Sequence, residues 1–232
     1  EAPRRITVTP SVVCRYTCGR PVGLRALGRF FDRRLEVALA LTNGSHQIDQ
    51  LGFRDETDFN RWKTVAGRVG ARLPVLGGLE LNVSGAVGPQ DRQRDDSVVQ
   101  WHVGAAAALE VGDFTFLAEA VQGRANGKSD LSRGFEQRCG LASCLEYRAA
   151  FLLVGWRATN LFNPYARVDF RSARHRSGDD FAYVSDTLRA TLGLRTEVGE
   201  HLVLKVEYTL NHELGPLSFP NDVFTSSLVV RY

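Results

Sequence analysis

The stretch DVFTSSLVVRY, residues 222–232, alternates apolar and polar side chains and has a tyrosine as its last residue. A β-strand places every second side chain on the same face, so this alternation predicts a strand with one apolar face. About ten residues suffice to cross a bilayer at a tilt, and an aromatic residue at the strand end lies at the membrane interface. We interpret the stretch as a closing transmembrane strand whose lipid-facing side chains are Phe224, Leu228, Val230 and Tyr232.

The composition agrees with membrane strands but not with membrane helices. The chain has 232 residues, 44% of them hydrophobic, and a mean hydropathy of −0.18. A membrane-spanning helix needs about 20 consecutive apolar residues, and the longest stretch without a charged residue, Ser97 to Leu109, is shorter. A transmembrane barrel turns only every second side chain to lipid, so its hydropathy is low. Because the chain opens Glu1-Ala-Pro3 without a basic start, we expect that an export signal has been removed.

Segments with the same alternation recur along the chain and form hairpins. Arg61–Val75 and Leu79–Val87, for example, flank Leu76-Gly77-Gly78, which predicts a tight turn. We count about twelve strands, an even number as in bacterial barrels. The predicted strands are Arg5–Val13, Val22–Phe31, Arg34–Asn43, Arg61–Val75, Leu79–Val87, Gln100–Glu110, Phe114–Gly123, Tyr147–Thr159, Tyr165–Arg176, Leu188–Val198, Leu202–Leu210 and Asp222–Tyr232.

Short and long connections alternate between these segments, which predicts a single domain, residues 1–232, folded as a transmembrane antiparallel up-and-down β-barrel. We expect both termini on the short-turn side and the long connections on the extracellular side. A soluble all-β sandwich also alternates, but it does not predict connections of two lengths in strict succession. The predicted long connections are Gly44–Asn60, Pro89–Ser97, Asn126–Glu146, Ser177–Thr187 and Asn211–Asn221.

The four cysteines all fall on the predicted extracellular side. Cys14 and Cys18 follow the first predicted strand, and Cys139 and Cys144 lie in the longest connection. An even number of cysteines in an oxidising compartment indicates disulfides. Local pairing within each loop is the simplest pattern, and pairing between the two loops is the alternative. A zinc site is not expected, because neither spacing is that of a zinc knuckle and no histidine is adjacent.

The order of these features resembles the phosphate-selective porins and their relatives in the Gram-negative outer membrane. The resemblance covers roughly Arg20 to Tyr232 and implies an outer-membrane channel that prefers anions and forms trimers. Such porins usually have about sixteen strands, so a sixteen-strand barrel that lacks its N-terminal part is the alternative to a closed barrel of about twelve. The segments that carry the resemblance are Arg20–Leu24, Leu39–Gly44, Asn60–Arg68, Pro164–Asp169, Thr191–Leu194, Leu204–Tyr208 and Phe224–Tyr232.

Parity places many basic side chains on the face that would line the lumen. Of the 29 basic residues only Lys63, Lys128 and Lys205 are lysine, and an arginine fork binds carboxylate or phosphate with two hydrogen bonds. A ladder of such groups would attract anions, although the same arginines paired with neighbouring acids would fill and stiffen a plugged barrel. The predicted pore-lining residues are Arg25, Arg29, Arg34, Arg68, Arg72, Arg167, Arg171, Arg189, Arg195 and Lys205.

We therefore predict a non-enzymatic channel in the outer membrane of a Gram-negative bacterium, through which small solutes diffuse with a weak anion preference. An anchoring component of a surface assembly is the alternative. An outer-membrane hydrolase is less favoured. Ser45 and His46 are adjacent and would point to opposite strand faces. Asp179, Asp180 and His212 could meet in a site at the rim, but no spacing requires it, and acids in loops are commonly exposed to solvent without a catalytic role. We expect no cofactor and no metal.

The predicted partners follow from the location. The lipid face would contact outer-membrane lipid and lipopolysaccharide, the lumen would admit small anionic solutes, and the terminal signal Phe224, Leu228, Val230 and Tyr232 would be recognised by the barrel-assembly machinery. A homo-oligomer or other membrane subunits are further expectations. Nucleic acid is not expected, because a net charge of +3 is spread along the strands and forms no single basic patch.

Overall fold

The computed structural model describes residues 6–14, 22–43, 63–75, 78–89, 99–125, 145–159, 161–177, 180–199, 201–215 and 220–230. No helix within these ranges is long and apolar enough to span a membrane. All regular elements in the described ranges are strands. They are β1 Gly23–Phe30, β2 Leu35–Thr42, β3 Thr64–Leu73, β4 Leu79–Pro89, β5 Val99–Val111, β6 Phe114–Ala125, β7 Leu145–Trp156, β8 Asn163–Ser177, β9 Asp180–Val198, β10 Leu202–Glu213 and β11 Val223–Val230.

The eleven strands form one sheet in sequence order, and each strand pairs with the next in the antiparallel sense. This confirms the predicted all-β, antiparallel up-and-down topology. The alternation that predicted it arises because each strand has two faces with different surroundings, so apolar and polar side chains take turns along the chain.

Directly opposed residues of antiparallel strands lie on the same face, so the register divides the side chains of the whole sheet into two sets. We call the face that carries residues 6–14 the inner face; it includes Glu36, Arg68, Asp169 and Glu207. The opposite face is the outer face. Its exposed apolar side chains include Leu39, Val69, Val83, Val103, Leu152, Val168, Leu192, Leu204, Phe224, Leu228 and Val230.

The connections give the sheet two distinct ends. Short connections at residues 31–34, 74–78, 112–113, 157–162 and 199–201 define the short-turn end. Connections at residues 43–63, 90–98, 126–144 and 214–222 define the long-connection end. The turn at 31–34 contains three successive residues with positive φ, Phe31, Asp32 and Arg33, so the two-residue connection predicted at Asp32-Arg33 is a four-residue turn.

One predicted long connection is wrong. Residues 177–187 were expected to form an extracellular loop, but β8 continues to Ser177 and β9 begins at Asp180. The hairpin extends to the pair Ser177 and Asp180, with a register irregularity between His175 and Arg176. Backbone hydrogen bonds maintain a ladder whatever the side chains are, so strands run on beyond the region in which apolar alternation is visible in the sequence.

The predicted count of about twelve strands is also wrong for the described residues, because Arg5–Val13 does not supply a strand. Residues 6–13 are irregular and lie on the inner face of the sheet. The sequence Ile6-Thr-Val-Thr9 alternates like a strand, but Pro10 follows it and has no N–H to donate to a ladder. The backbone of this segment is bound by inner-face side chains instead of a neighbouring strand.

The odd count changes the relation between the first and last strands. β1 begins at the long-connection end, and β11 ends at the short-turn end. β1 and β11 therefore run in the same direction. No pairing joins these two edges within the described residues, and the sheet is not closed there.

Candidate functional site

Residues 6–14, which we call the N-terminal segment, run along the inner face from the short-turn end towards the long-connection end. Ile6 lies beside Gly155 near the short-turn end of β7. Val12 and Val13 pack at the other end of the same face, against Val121 of β6 and Tyr147 of β7. The segment thus covers the inner side of the sheet in the region of β6 to β10, and this region has few exposed side chains.

Glu207 of β10 holds the middle of the N-terminal segment. One carboxylate oxygen accepts hydrogen bonds from the backbone N of Val8 at 2.6 Å and from the hydroxyl of Tyr165 at 2.7 Å. The other accepts from the backbone N of Thr9 at 2.8 Å and from its hydroxyl at 2.7 Å. Glu207 is 1% exposed. Burial removes the hydrogen bonds that a carboxylate makes to water, and these four donors replace them.

A buried ion pair on β8 binds the next part of the segment. Arg167 donates from Nε to Asp169 at 2.7 Å, and both side chains are almost fully buried. Arg167 also donates to the carbonyl oxygen of Thr9 at 2.9 Å, and Asp169 accepts from the backbone N of Val12 at 3.0 Å. The pair is therefore tied to the segment on both sides, which supplies the additional hydrogen bonds that a buried salt bridge needs.

Apolar packing fixes the end of the segment. Val13 is fully buried and belongs to a cluster with Val12, Val121, Tyr147, Ala149 and Ala173, with Phe151 packed against it. Small residues at positions 149 and 173 leave room for the segment between the larger side chains. Burial of a valine stabilises the docked segment by about 1.5–3 kcal/mol before the entropy cost of ordering it.

The inner face of β1 to β4 has a different character, because its charged side chains stay exposed. Glu36 of β2 lies between Arg29 of β1 and Arg68 of β3 and pairs with both. Arg72 pairs with Glu80 across β3 and β4 and is 64% exposed. Because these arginines are exposed, they line an open surface. Exposed ion pairs contribute little to stability, so these pairs are not required to hold the sheet together.

The predicted pore-lining residues fall into three groups. Arg25, Arg29, Arg68 and Arg72 lie on the open part of the inner face, and Arg34 lies in the turn before β2. Arg167 and Lys205 are buried beneath or beside the N-terminal segment. Arg171, Arg189 and Arg195 are intermediate: Arg189 donates to Asn211 at 2.9 Å, and Arg195 pairs with Glu197.

Several other predicted residues fall partly or wholly outside the described ranges. Cys14 is described and carries no free thiol, whereas Cys18, Cys139 and Cys144 lie outside, so their pairing stays a prediction. Phe224, Leu228 and Val230 are exposed on the outer face, and Tyr232 lies outside.

The hydrolase candidates are not brought together where the structure describes them. Ser45, His46 and Asp179 lie outside the described ranges, and His212 is opposite the outer-face residue Leu188. In the described part of the chain, no group of three or more His, Cys, Asp or Glu side chains is arranged to hold a metal ion.

The sequence reading missed the residues that receive the N-terminal segment. Parity places Asp169 and Glu207 on the inner face, where neighbouring acids were expected only to pair with arginines. Pro10 was the available signal, because it argues against a paired strand at residues 5–13. Glu207 was a second signal. It faces Gly193 and Thr225 and has no basic residue directly opposite, so its hydrogen-bond donors had to come from another part of the chain.

Comparison with known proteins gives no relative for this architecture: no family model, no curated protein and no solved structure matches the chain. The resemblance to phosphate-selective porins therefore stays a prediction from the residues that carry it.

Proposed function

We propose that the chain is an outer-membrane β-barrel wall that lets small solutes diffuse passively, with a weak anion preference, past its own N-terminal segment. The observation that carries this proposal is the row of exposed arginines on the open part of the inner face, Arg25, Arg29, Arg68 and Arg72. The acids there and on the adjoining β5 are Glu36, Glu80 and Glu110, so four arginines face three acids where solvent reaches this part of the face.

The outer face supports a bilayer environment for this wall. Exposed leucine, valine and phenylalanine side chains cover it across all eleven strands, and contiguous apolar surface of that extent in water would promote association. Phe114 and Trp156 stack at the short-turn end of the outer face, with ring centroids 6.1 Å apart. Paired aromatics at the edge of an apolar band are typical of the girdle at a membrane interface.

The N-terminal segment determines how much of the inner face can conduct. It covers the region of β6 to β10 and is bound by Arg167, and Arg167 and Lys205 are both buried there, so neither group is available to passing anions. The arginines of β1 and β3 are the groups left to bias ion passage. We therefore expect a small conductance with a modest anion preference.

Single-channel recording in a planar bilayer of phosphatidylcholine, with reversal potential under a salt gradient, tests the proposal. Wild type is expected to give stable small steps with anion preference. The double variant R68E/R72E is expected to move the reversal potential towards cations. The matched control is R33E/R157E, which makes the same charge change at two exposed positions in the short connections and is expected to shift the reversal potential much less. Equal effects of both variants, or none from either, would exclude Arg68 and Arg72 as pore-lining groups.

A second candidate is an anchoring or assembly component, and one observation favours it. β1 and β11 expose unpaired edges in the described structure, and in a bilayer every backbone N–H and C=O must find a partner. A partner strand from another subunit would satisfy them. Absence of channel steps from a folded, heat-modifiable protein, together with a mass above that of one chain by light scattering in detergent, would favour this role over the channel.

A further inference from the structure

The outer face carries a basic cleft at the long-connection end of β6, β7 and β8. The cleft has a volume of about 250 Å³, and its outward-facing lining includes Arg124, Arg148 and Arg174, one from each of the three strands. These side chains are on the face opposite to the proposed lumen, so the anion preference of a channel does not account for them.

The strand register explains why the three guanidinium groups converge. Glu146 is directly opposite both Arg124 of β6 and Arg174 of β8, and Arg148, two residues along β7, faces Gln122 and Ser172. Residues in such positions on neighbouring strands have Cβ atoms about 5–8 Å apart. Arg124 and Arg174 lie on either side of β7 and start about 10 Å apart, and Arg148 lies diagonally between them, so all three long side chains reach the same cleft.

The cleft begins where the apolar band of the outer face ends. From the short-turn end of β6 the outward residues are Phe114, Phe116, Ala118 and Ala120, followed by Gln122 and Arg124. The ten residue steps from Phe114 to Arg124 correspond to about 34 Å along the strand, and at a tilt of about 40° this gives a height of about 25 Å, which is the height of an outer-membrane apolar band. Trp101, an aromatic residue of the kind found at membrane interfaces, lines the cleft. In a bilayer the arginines would lie at the depth of lipid headgroups.

The charge of the cleft favours an anion. Glu146 is the one acid in its lining and stands 3.6 Å from Arg124. Asp186 lies next to the cleft on β9, opposite Ser172, and is outside the lining. Three arginines against one glutamate leave an excess of positive charge, and arginine forks bind the oxygens of a phosphate with charge-assisted hydrogen bonds.

We propose that this cleft binds the phosphomonoester of a membrane lipid in the leaflet at the long-connection end. The proposal rests on the membrane location in the proposed function, but not on channel activity. Arg148 and Arg174 would contact the phosphate, and Glu146 would orient Arg124 beside it. Lipid held in this way would fix the depth and tilt of β6 to β8 in the bilayer.

Native mass spectrometry of the detergent-solubilised full chain tests the proposal, with phosphatidic acid as the phosphomonoester probe and phosphatidylcholine as the reference. Wild type is expected to retain phosphatidic acid at least about tenfold better than phosphatidylcholine, and R148Q/R174Q to lose that preference. The control R33Q/R157Q removes two exposed arginines at the short-turn end and is expected to bind like wild type. Equal retention of the two lipids by wild type, or unchanged preference in R148Q/R174Q, would overturn the assignment.

A competition arm separates a lipid headgroup from a soluble phosphate. Inorganic phosphate at millimolar concentration is expected to leave phosphatidic acid bound, because the lipid is held by its acyl chains as well as its headgroup. Displacement by inorganic phosphate would overturn the lipid assignment in favour of a soluble anion. Channel recordings distinguish the two proposals. Conductance steps without a preference for phosphatidic acid would contradict only the lipid-binding cleft, and a lipid preference without conductance steps would contradict only the channel.

Discussion

Glu207 and Thr9 lie 198 positions apart in the sequence and are joined by two hydrogen bonds to the same carboxylate oxygen. The backbone N and the side-chain hydroxyl of Thr9 both donate to Oε2 of Glu207, at 2.8 and 2.7 Å. A buried carboxylate accepts such bonds with no competition from water. This contact, made between β10 and a segment that precedes β1, is central to keeping the N-terminal segment inside the sheet.

Replacing Glu207 with glutamine tests this contact. The glutamine NH₂ group would face donors that need an acceptor, so we expect the free energy of unfolding to fall by about 1–3 kcal/mol. The measurement is urea unfolding in detergent, followed by the mobility difference between folded and unfolded protein. E80Q, which alters an exposed pair, should cost no more than about 1 kcal/mol. Equal losses in the two variants would contradict a special role for Glu207.

Replacing Val13 with aspartate tests whether apolar packing holds the segment in place. The carboxylate would lose its hydration among Val121, Tyr147 and Ala149, so we expect the segment to leave the inner face. Limited proteolysis should then cleave within residues 6–14, and single-channel conductance should rise. V13T keeps the side-chain shape and is expected to show much weaker effects. Unchanged protection in V13D would mean that the hydrogen bonds alone retain the segment.

Arginine introduced on the outer face tests the assignment of that face to lipid. V69R and L204R each place a charge at an exposed apolar position, which near mid-bilayer costs about 2–4 kcal/mol. We expect both to lower the yield of folded protein in phosphatidylcholine vesicles, measured by heat-modifiable mobility. A108R puts the same residue on the inner face opposite Glu80 and should fold better than either. Efficient folding of V69R and L204R would argue against a lipid-facing surface.

Non-reducing tryptic mapping tests the predicted pairing of Cys14 with Cys18. Cleavage after Arg15 separates the two cysteines, so local pairing should give residues 6–15 linked to residues 16–25. Cys139 and Cys144 share the fragment 139–148, and local pairing leaves it unlinked to others. A species that joins 6–15 to 139–148 would instead establish pairing between the two loops.

The order and antiparallel sense of the strands could be predicted from the sequence, because alternation of period two is a local property. Arg61–Val75 and Leu79–Val87 were recognised as a hairpin from their alternation and the glycines between them, and the structure pairs Thr64–Leu73 with Leu79–Pro89. The ends of strands were less predictable: the β8–β9 hairpin continues through polar residues, since backbone hydrogen bonds extend where no apolar face marks them.

The candidate sites were only partly predictable. Parity assigned Arg68 and Arg72 to the inner face, but it treats every inward residue alike. It did not separate those exposed arginines from Lys205, which is buried, or from Arg167, which is buried against a segment placed by long-range contacts. Arg148 and Arg174 were recognisable as outward residues, but their convergence with Arg124 depends on the register of β6, β7 and β8. Side-chain alternation specifies the face on which a residue lies, and does not specify which residue of the next strand lies opposite it.

The sequence by itself determined which side chains share a face, because the geometry of an extended chain alternates them whatever its neighbours are. The tertiary structure decided what each face contacts. Ile6-Thr-Val-Thr9 has the pattern of a strand, but the backbone N–H groups of Val8 and Thr9 donate to Glu207. The backbone N–H group of Val12 donates to Asp169. Contacts between residues so far apart in the chain depend on how the whole sheet brings them together, and no local pattern encodes that.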